Sequence, residues 1–228
     1  MKYYIVLDLE MCCVPKSMRV NYHKAMETIQ IGAVKVNEKY EIIDKFDIFV
    51  KPEFGSLDKK ISKLTGITSD QLKDAICMKE AMDRFMDWIE SGNEDADFEM
   101  VSWSETDYHQ IKREMEEKKI LTERVEKLIA NWNDCQKTFG TKLEKARACS
   151  LEEALIATGI WQEGQAHNGL DDAYNTALLF IKMETEPELK LNPIYENARK
   201  EEVEHLSSSI GSLLAGFDWD AINKKDES

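Results

Sequence analysis

Near its beginning the chain carries the run Tyr3–Leu9, which is apolar apart from a single acidic residue, Asp8. A continuous apolar run of this length is typical of a central strand that is buried on both faces. Such a strand needs other strands at its edges and further elements above and below it. This one segment therefore favours a layered fold built around a sheet.

Two more strands are predicted after it, over Thr28–Val36 and Ile42–Val50. Three consecutive strands without a helical pattern between them are typical of an antiparallel meander. The second strand contains Gly32, and a glycine inside a strand marks a place where another part of the chain can approach closely. We therefore expect a close contact at Gly32.

The hydrophobic periodicity changes along the rest of the chain. We predict helices over Lys79–Glu90, Thr106–Lys119 and Leu170–Met183, a helix beginning at Ser150, short helical pieces within residues 58–76, a fourth strand over Phe98–Trp103, and a short fifth strand within Leu128–Phe139. Strands first, and then strands that alternate with helices, indicate an α/β fold with a mixed five-stranded sheet flanked by helices.

The charge balance bears on the kind of partner. The 228 residues include 44 Asp and Glu against 30 Lys and Arg, which gives a net charge of −14. This excess argues against bulk attraction to nucleic acid or to an anionic membrane. Residues 11–73 and 118–150 nevertheless carry a small positive excess, so a polyanion could still dock on a local basic face.

The cysteines and the apolar runs bear on the compartment. The five cysteines are odd in number and lack CxxC spacing, which makes a disulfide framework or a zinc site a poor prediction; they are Cys12, Cys13, Cys77, Cys135 and Cys149. No apolar stretch approaches the roughly 20 residues that a membrane span needs. We therefore expect a soluble cytoplasmic protein without a membrane association.

The composition changes at about residue 185, so we expect a domain over residues 1–184 and a C-terminal helical or irregular extension over residues 185–228. The extension carries large apolar side chains at Leu206, Ile210, Leu213, Leu214, Phe217 and Trp219. These side chains could pack on the domain itself, on a protein partner or on a second copy of the chain, and the sequence leaves the three open.

Acidic residues lie at or near the ends of three predicted elements: the first strand, the fourth strand and the helix over Leu170–Met183. Asp8 and Glu10 are two residues apart on the first strand, so their side chains point to the same face. Asp107 follows the fourth strand, and Asp172 follows His167 at the entrance to a helix. Taken singly, each acid has an ordinary alternative, as a solvated strand end or as a first-turn acid that favours a helix N-terminus.

The acids are more informative as a set. Carboxylate oxygens are the ligands that hard divalent cations such as Mg²⁺ prefer. Two such ions about 3.5–4 Å apart stabilise both the attacking and the leaving oxygen in a phosphoryl displacement. An imidazole, whose ordinary pKa is near 6.5, suits proton removal from a water molecule at neutral pH, and His167 supplies one. The pattern therefore indicates metal-assisted phosphoryl chemistry.

These motifs resemble those of the DEDDh 3′–5′ exonucleases, in the DnaQ-like branch of the RNase H-like fold. The matching segments are Asp8-Leu9-Glu10, Asp107 in the segment 102–107, the pair His167 and Asp172, Glu27–Ala33 and Leu64–Thr68. Within the family the chain is most similar to the subgroup that contains KapD and the eukaryotic exonucleases that trim histone mRNA and small RNAs.

The resemblance implies roles for particular residues. Asp8, Glu10, Asp107 and Asp172 would bind two divalent cations, Mg²⁺ or Mn²⁺, and His167 would be the general base. Asp171 is interpreted as a helix-start residue. Met11, Leu64 and Thr65 would contact the terminal nucleotide. The main departure from the family is Met11-Cys12-Cys13 after the first motif, where a Thr or Cys is usual at the position of Cys12. This departure bears on contacts to the terminal nucleotide and leaves the metal ligands intact.

The implied activity is metal-dependent hydrolysis of phosphodiester bonds from the 3′ end of single-stranded nucleic acid, with RNA favoured over DNA and nucleoside 5′-monophosphates as products. Two alternatives stay open. One is an exonuclease that acts on DNA ends or short oligonucleotides, and the acidic balance fits short substrates somewhat better than long duplexes. The other is a binding or scaffold protein in which the catalytic site of the nuclease fold is not used.

Overall fold

A five-stranded mixed sheet forms the centre of the molecule in the computed structural model, which describes residues 2–91, 97–143, 149–186 and 188–197. The strands are β1 (Lys2–Cys13), β2 (Met26–Asn37), β3 (Ile42–Phe49), β4 (Asp97–Ser102) and β5 (Trp132–Asp134). Their order across the sheet is β3-β2-β1-β4-β5. Strands β1, β2 and β3 pair antiparallel, whereas β4 pairs parallel with both β1 and β5. The predicted mixed sheet is confirmed.

The helices cover both faces of this sheet. They are α1 (Lys59–Thr65), α2 (Ser69–Lys73), α3 (Met78–Glu90), α4 (Glu105–Glu117), α5 (Glu123–Ala130), α6 (Cys135–Lys142), α7 (Leu151–Thr158) and α8 (Gly169–Thr185), with a short 3₁₀ turn over Lys16–Val20 between β1 and β2. Side-chain oxygens cap several of their N-termini, and the Thr68–Gln71 capping box begins α2.

Alternation along β1 divides the core into two layers. Ile5 and Leu7 point to one face, where they pack with the apolar stripe of α3 and with α4 and α5. Val6 points to the other face, where it packs with α6, α7 and α8. Because both faces are covered, β1 is buried on both sides, as its continuous apolar run predicts.

One sequence prediction needs correction. The first strand does not end at its acidic residues: β1 continues to Cys13, because it stays paired with β2 through a register shift after Glu10. The short fifth strand predicted within Leu128–Phe139 is present as β5, which lies between the end of α5 and the start of α6. Elements this short do not show a period that a sequence pattern can resolve.

The described residues also bear on membrane and redox expectations. None of their helices has the length and apolar character to cross a membrane. All five cysteines are free thiols, in agreement with the prediction of no disulfide framework. The apolar residues of the C-terminal extension, from Leu206 onward, lie outside the described part of the chain.

The first turn of α8 lies directly against the middle of β2. A Cβ atom added to Gly32 would come within 2.1 Å of the backbone of Gly169, and one added to Gly169 would lie 3.1 Å from the main-chain oxygen of Asp8. The side chain of Gln30, also on β2, accepts a hydrogen bond of 3.1 Å from the Gly169 N–H. The close contact predicted at Gly32 is thus present, and its partner is the start of α8.

We expect the Gly32→Ala substitution to destabilise the fold, because its methyl group would overlap main-chain atoms that cannot move without displacing α8. The free energy of unfolding, measured by urea denaturation, should fall by about 3 kcal/mol or more, at the upper end of overpacking effects. Gly159→Ala is the matched control, since its site has open space around the new methyl and only the left-handed backbone costs about 1–2 kcal/mol. Equal stabilities of the two variants would contradict the close-contact interpretation.

Candidate active site

Strand β1 carries two carboxylates, on Asp8 and Glu10, in the part of the strand that extends beyond the end of its neighbour β4. The last residue pair between the two parallel strands is Leu7 with Ser102. Asp8 and Glu10 follow on β1, and both point to the face that is covered by α8. The β4 side of β1 is therefore open to another element at this point.

Asp107, in the first turn of α4, occupies that opening. Its Oδ1 atom accepts a hydrogen bond of 3.1 Å from the main-chain N–H of Leu9, which has lost its strand partner. The side chain of Asp107 is 5% exposed. Since a buried N–H needs an acceptor, this bond fixes the carboxylate of Asp107 beside the two acids of β1.

Asp172 and His167 reach the same place from α8 and the loop before it. The main-chain N–H of His167 donates a hydrogen bond of 2.8 Å to Oδ2 of Asp172. His167 adopts a left-handed backbone conformation with φ of 63°, which is rare for a residue with a side chain and occurs often at functional sites. One potential ligand atom each from Glu10, His167 and Asp172 lies within 4.8 Å of the others.

Burial raises the pKa of every carboxylate in this group, and repulsion between the carboxylates raises it further for Asp8 and Glu10. Burial, followed by the charges of Asp107, Asp172 and Glu10, raises the pKa of Asp8 well above its ordinary value. Burial and the charges of Asp172 and Asp107 raise the pKa of Glu10 to about 8. Burial raises the pKa of Asp107 to about 7, and burial is also the main cause of the raised pKa of Asp172.

Elsewhere in the molecule buried acids are paired with a cation. Lys118 lies 2.6 Å from Glu27 and 3.0 Å from Glu114, and all three side chains are almost fully buried. Within the described ranges, by contrast, no lysine or arginine forms an ion pair with Asp8, Glu10, Asp107 or Asp172. A buried acidic group without a protein cation fits divalent metal ions, because they accept carboxylate ligands and remove the repulsion between them.

Asp171 lies in the first turn of α8, as predicted for a helix-start residue, and is not part of the acidic group. Its carboxylate makes a contact that the sequence does not predict, since it accepts a hydrogen bond of 2.8 Å from the main-chain N–H of Gln165. Sequence reasoning missed Asn175, a buried residue of α8 whose amide bonds to the same loop. The one sequence signal for Asn175 is its position inside a predicted helix, where an asparagine is usually neutral or unfavourable.

The residues predicted to contact a terminal nucleotide differ in exposure. Leu64 is 47% exposed at the end of α1, and Met11 is half-buried just after the register shift of β1. Thr65 is 2% exposed, and its hydroxyl donates to the main-chain oxygen of Ile61 and accepts from the N–H of Ile67. The hydroxyl of Thr65 is therefore used inside the turn.

The α1 turn also touches the loop that carries His167. Gly66, which ends α1 with φ of 74°, has the side-chain amide of Gln165 directly above it, 3.0 Å from where a Cβ would be. The predicted nucleotide-contacting segment and the imidazole thus belong to adjoining loops, at the same edge of the sheet.

Comparison with known proteins places this site in context. The model of the exonuclease family RNase_T matches residues 5–180, which is more than half of the chain. ERI1 exoribonuclease 2 of Mus musculus is 30% identical over 200 residues, which cover 79% of this chain and 28% of that protein. The 3′-5′ exonuclease Snipper of Drosophila melanogaster is 27% identical over 198 residues, which cover 79% of this chain and 69% of that protein.

The chain spans between about a quarter and about a third of the length of the ERI1 exoribonuclease 2 proteins that it matches. Among solved structures, the nuclease domain of 3′hExo, a DEDDh family member bound to rAMP, has a TM-score of 0.70 and 24% identity. The match covers 83% of this chain and 96% of that domain. It supports the same RNase H-like arrangement of sheet and helices.

The raised carboxylate pKa values predict an unusual pH dependence of stability for the metal-free protein. A folded-state pKa above the unfolded value means that the folded state binds protons more tightly, so stability falls as the pH rises between the two values. For Glu10 this window runs from 4.5 to about 8. After chelator treatment, the melting temperature should fall across this range, and added Mn²⁺ should recover it most at the alkaline end.

Removing one carboxylate charge by substitution should stabilise the metal-free protein in the same way as neutralising that charge by protonation. We expect Asp8→Asn to raise the melting temperature of the metal-free protein at pH 8 and to flatten its fall with pH. Glu38→Gln is the control, because Glu38 is exposed in the turn between β2 and β3 and should leave the profile unchanged. A metal-free Asp8→Asn protein that is no more stable than wild type at pH 8 would argue against the repulsion.

Proposed function

The chain belongs to the exonuclease family, and we propose that it is a metal-dependent 3′–5′ exonuclease that acts on single-stranded nucleic acid. The observation that carries the proposal is the convergence of four acids, with His167 beside them, at one edge of the sheet; the acids are Asp8, Glu10, Asp107 and Asp172. We propose that the four acids are the metal ligands and that His167 is the general base.

Two divalent cations, Mg²⁺ or Mn²⁺, suit this set of oxygen ligands, and when bound they would activate a water molecule and stabilise charge on the phosphate. The chain's own contribution is to hold the reacting groups. The carboxylates of β1 are fixed by strand pairing, and that of Asp107 is fixed by the Leu9 N–H. The imidazole of His167 would take a proton from the water whose oxygen attacks phosphorus, while the bond from phosphorus to the 3′ oxygen of the preceding nucleotide breaks.

The names of the relatives support RNA as the favoured substrate. Two kinds of similar protein, ERI1 exoribonuclease 2 and 3′-5′ exoribonuclease 1, are called exoribonucleases, and the 3′hExo nuclease domain is bound to rAMP. We propose that this chain likewise favours single-stranded RNA over DNA and releases nucleoside 5′-monophosphates. We propose that Met11, Leu64 and Thr65 contact the terminal nucleotide, and the exposed Leu64 suits this role best, since bases stack on apolar groups with little sequence preference.

We further propose a division of the chain into an exonuclease domain over residues 1–184 and an extension over residues 185–228 that docks on the domain, on a protein partner or on a second copy. The composition change at residue 185 supports this boundary. A cytoplasmic location is proposed because the five free thiols suit a reducing compartment.

The direct test is a time course on 5′-labelled single-stranded RNA and DNA of one sequence, with Mg²⁺, with Mn²⁺ and with chelator. We expect a metal-dependent ladder that shortens from the 3′ end, faster on RNA. Faster cleavage of DNA would reverse the proposed sugar preference. No cleavage of either substrate by folded protein would overturn the proposal in favour of a binding or scaffold protein.

Substitution of the acidic group should separate metal binding from folding. Asp8→Ala or Asp172→Ala should lower the cleavage rate by on the order of 10³-fold or more, because several kcal/mol of charge stabilisation depend on the metal. Circular dichroism should show an unchanged fold. Wild-type activity in either variant would remove that residue from the proposed ligand set.

His167→Ala should behave differently from the variants of the acids. The rate should fall by about 10²- to 10⁴-fold, the usual contribution of a general base, while the affinity for Mn²⁺ is retained in a calorimetric titration. Unaltered turnover would exclude His167 as the base. Loss of metal binding together with activity would instead assign His167 to the ligands.

Leu64 tests the nucleotide-contacting turn. Leu64→Ala should raise KM for a short RNA by about tenfold, in line with the loss of one stacked apolar contact, while kcat changes little. Ile156→Ala is the matched control, because Ile156 is a similarly exposed aliphatic residue on α7. Equal KM values for the two variants would contradict a substrate contact at Leu64.

A further inference from the structure

We infer that Asn175 and Asp171 are positioning residues that fasten the loop 160–168 to α8 and so keep His167 at the acidic group. The inference rests on the proposed function, because it concerns the residue proposed as the general base. Neither side chain is a member of the acidic group itself. Each bonds instead to the main chain of the loop that leads to His167.

The high solvent exposure of the loop explains why it needs hydrogen bonds from α8 to hold it in position. Residues 161–167 are all exposed, and Trp161 is 90% exposed. A segment that buries so little apolar surface gains almost nothing from packing and would open locally at small cost. The loop must therefore be held by polar contacts to a rigid element, and the element that it contacts is α8.

Asn175 makes the most complete of these contacts. Its side chain is fully buried. Its Nδ2 donates hydrogen bonds of 2.8 Å to the main-chain oxygens of Glu163 and Asp171, and its Oδ1 accepts one of 2.9 Å from the Glu163 N–H. One amide thereby bonds both the N–H and the carbonyl of a single loop residue, which fixes the position and the orientation of that residue.

Asp171 holds the loop two residues further on. Its Oδ2 accepts a 2.8 Å hydrogen bond from the Gln165 N–H. The carboxylate also lies against Gly164, where an added Cβ would come within 2.2 Å of its Cγ, and Gly164 has φ of 73°. The glycine lets the chain pass closely over the carboxylate, in a conformation that other residues rarely adopt.

Together these contacts fix residues 163 and 165, immediately before His167. The backbone of His167 is itself in the left-handed region, with φ of 63°, and such a conformation persists only where the surroundings determine it. The bond from the His167 N–H to Asp172 holds the other side. Loss of the Asn175 or Asp171 contact should therefore let the imidazole leave its place while the metal ligands stay in theirs.

The first test is a pair of variants in neighbouring buried positions of α8. Asn175→Ala should lower kcat on single-stranded RNA about tenfold to a hundredfold, the usual cost of a misplaced catalytic group. Its KM and its affinity for Mn²⁺ should stay within about twofold of wild type, since no substrate or metal contact is removed. Thr176→Val is the matched control, because the hydroxyl of Thr176 is fully buried without a partner among the described residues; its kcat should equal that of wild type.

A double-mutant cycle with His167→Ala distinguishes positioning from a general loss of stability. If Asn175 acts through His167, then adding Asn175→Ala to His167→Ala should cause little further loss of kcat. A purely structural effect would instead lower kcat by the same factor in both backgrounds. That result would overturn the inference.

Asp171 supplies a second, independent variant pair in case Asn175→Ala does not fold. Asp171→Ala should lower kcat, again only when His167 is present, whereas Asp171→Asn should recover most of the rate because its Oδ1 can still accept from the Gln165 N–H. An Asp171→Ala protein with wild-type kcat would refute its part of the inference. An inactive wild-type protein would refute the proposed function, so the two failures are distinguishable.

Discussion

The contact between the first turn of α8 and the middle of β2 is the constraint on which the site depends. Without side chains at Gly32 and Gly169 the helix can start against the backbone of the sheet, and the amide of Gln30 then bonds its first N–H. That starting point brings Asp172 next to the acids of β1. A methyl group on either glycine would push the helix away from the sheet, and the acidic group would then lack Asp172.

The same contact concentrates negative charge that no lysine or arginine in the described part of the chain neutralises. At the far end of α4 the buried acids Glu27 and Glu114 share Lys118, and the pKa of Glu27 is lowered as a result. At the near end of α4 the carboxylate of Asp107 has a raised pKa. One helix thus connects a charge cluster that is satisfied within the protein to one that needs external cations, and the first cluster helps to hold the helix that carries the second.

The sequence predicts the elements whose apolar patterns are long and the acids that stand at their ends. It predicts β1, β2, α3 and α8 because each buries a continuous or periodic stripe. It predicts a short fifth strand within Leu128–Phe139 but not the bounds of β5, which is three residues long, and it does not predict the extension of β1 beyond Leu9, which depends on pairing with β2 rather than on local pattern. Asp107 illustrates the limit for the site: the residue can be found from sequence, but its bond to the Leu9 N–H exists only because β4 ends first.

Asn175 and Asp171 could not be assigned from the sequence for a related reason. Their partners are main-chain groups of residues 163–165, and main-chain groups leave no mark in the amino-acid identities around them. A loop beside a substrate site must stay exposed to admit the substrate, so it cannot be held by an apolar core. Hydrogen bonds from a buried helix face reconcile these demands, because they fix the loop from below and leave its upper surface open. The exposure of the loop and the complete burial of the Asn175 amide therefore serve the same site: the loop stays open to substrate, and the amide holds the loop in position.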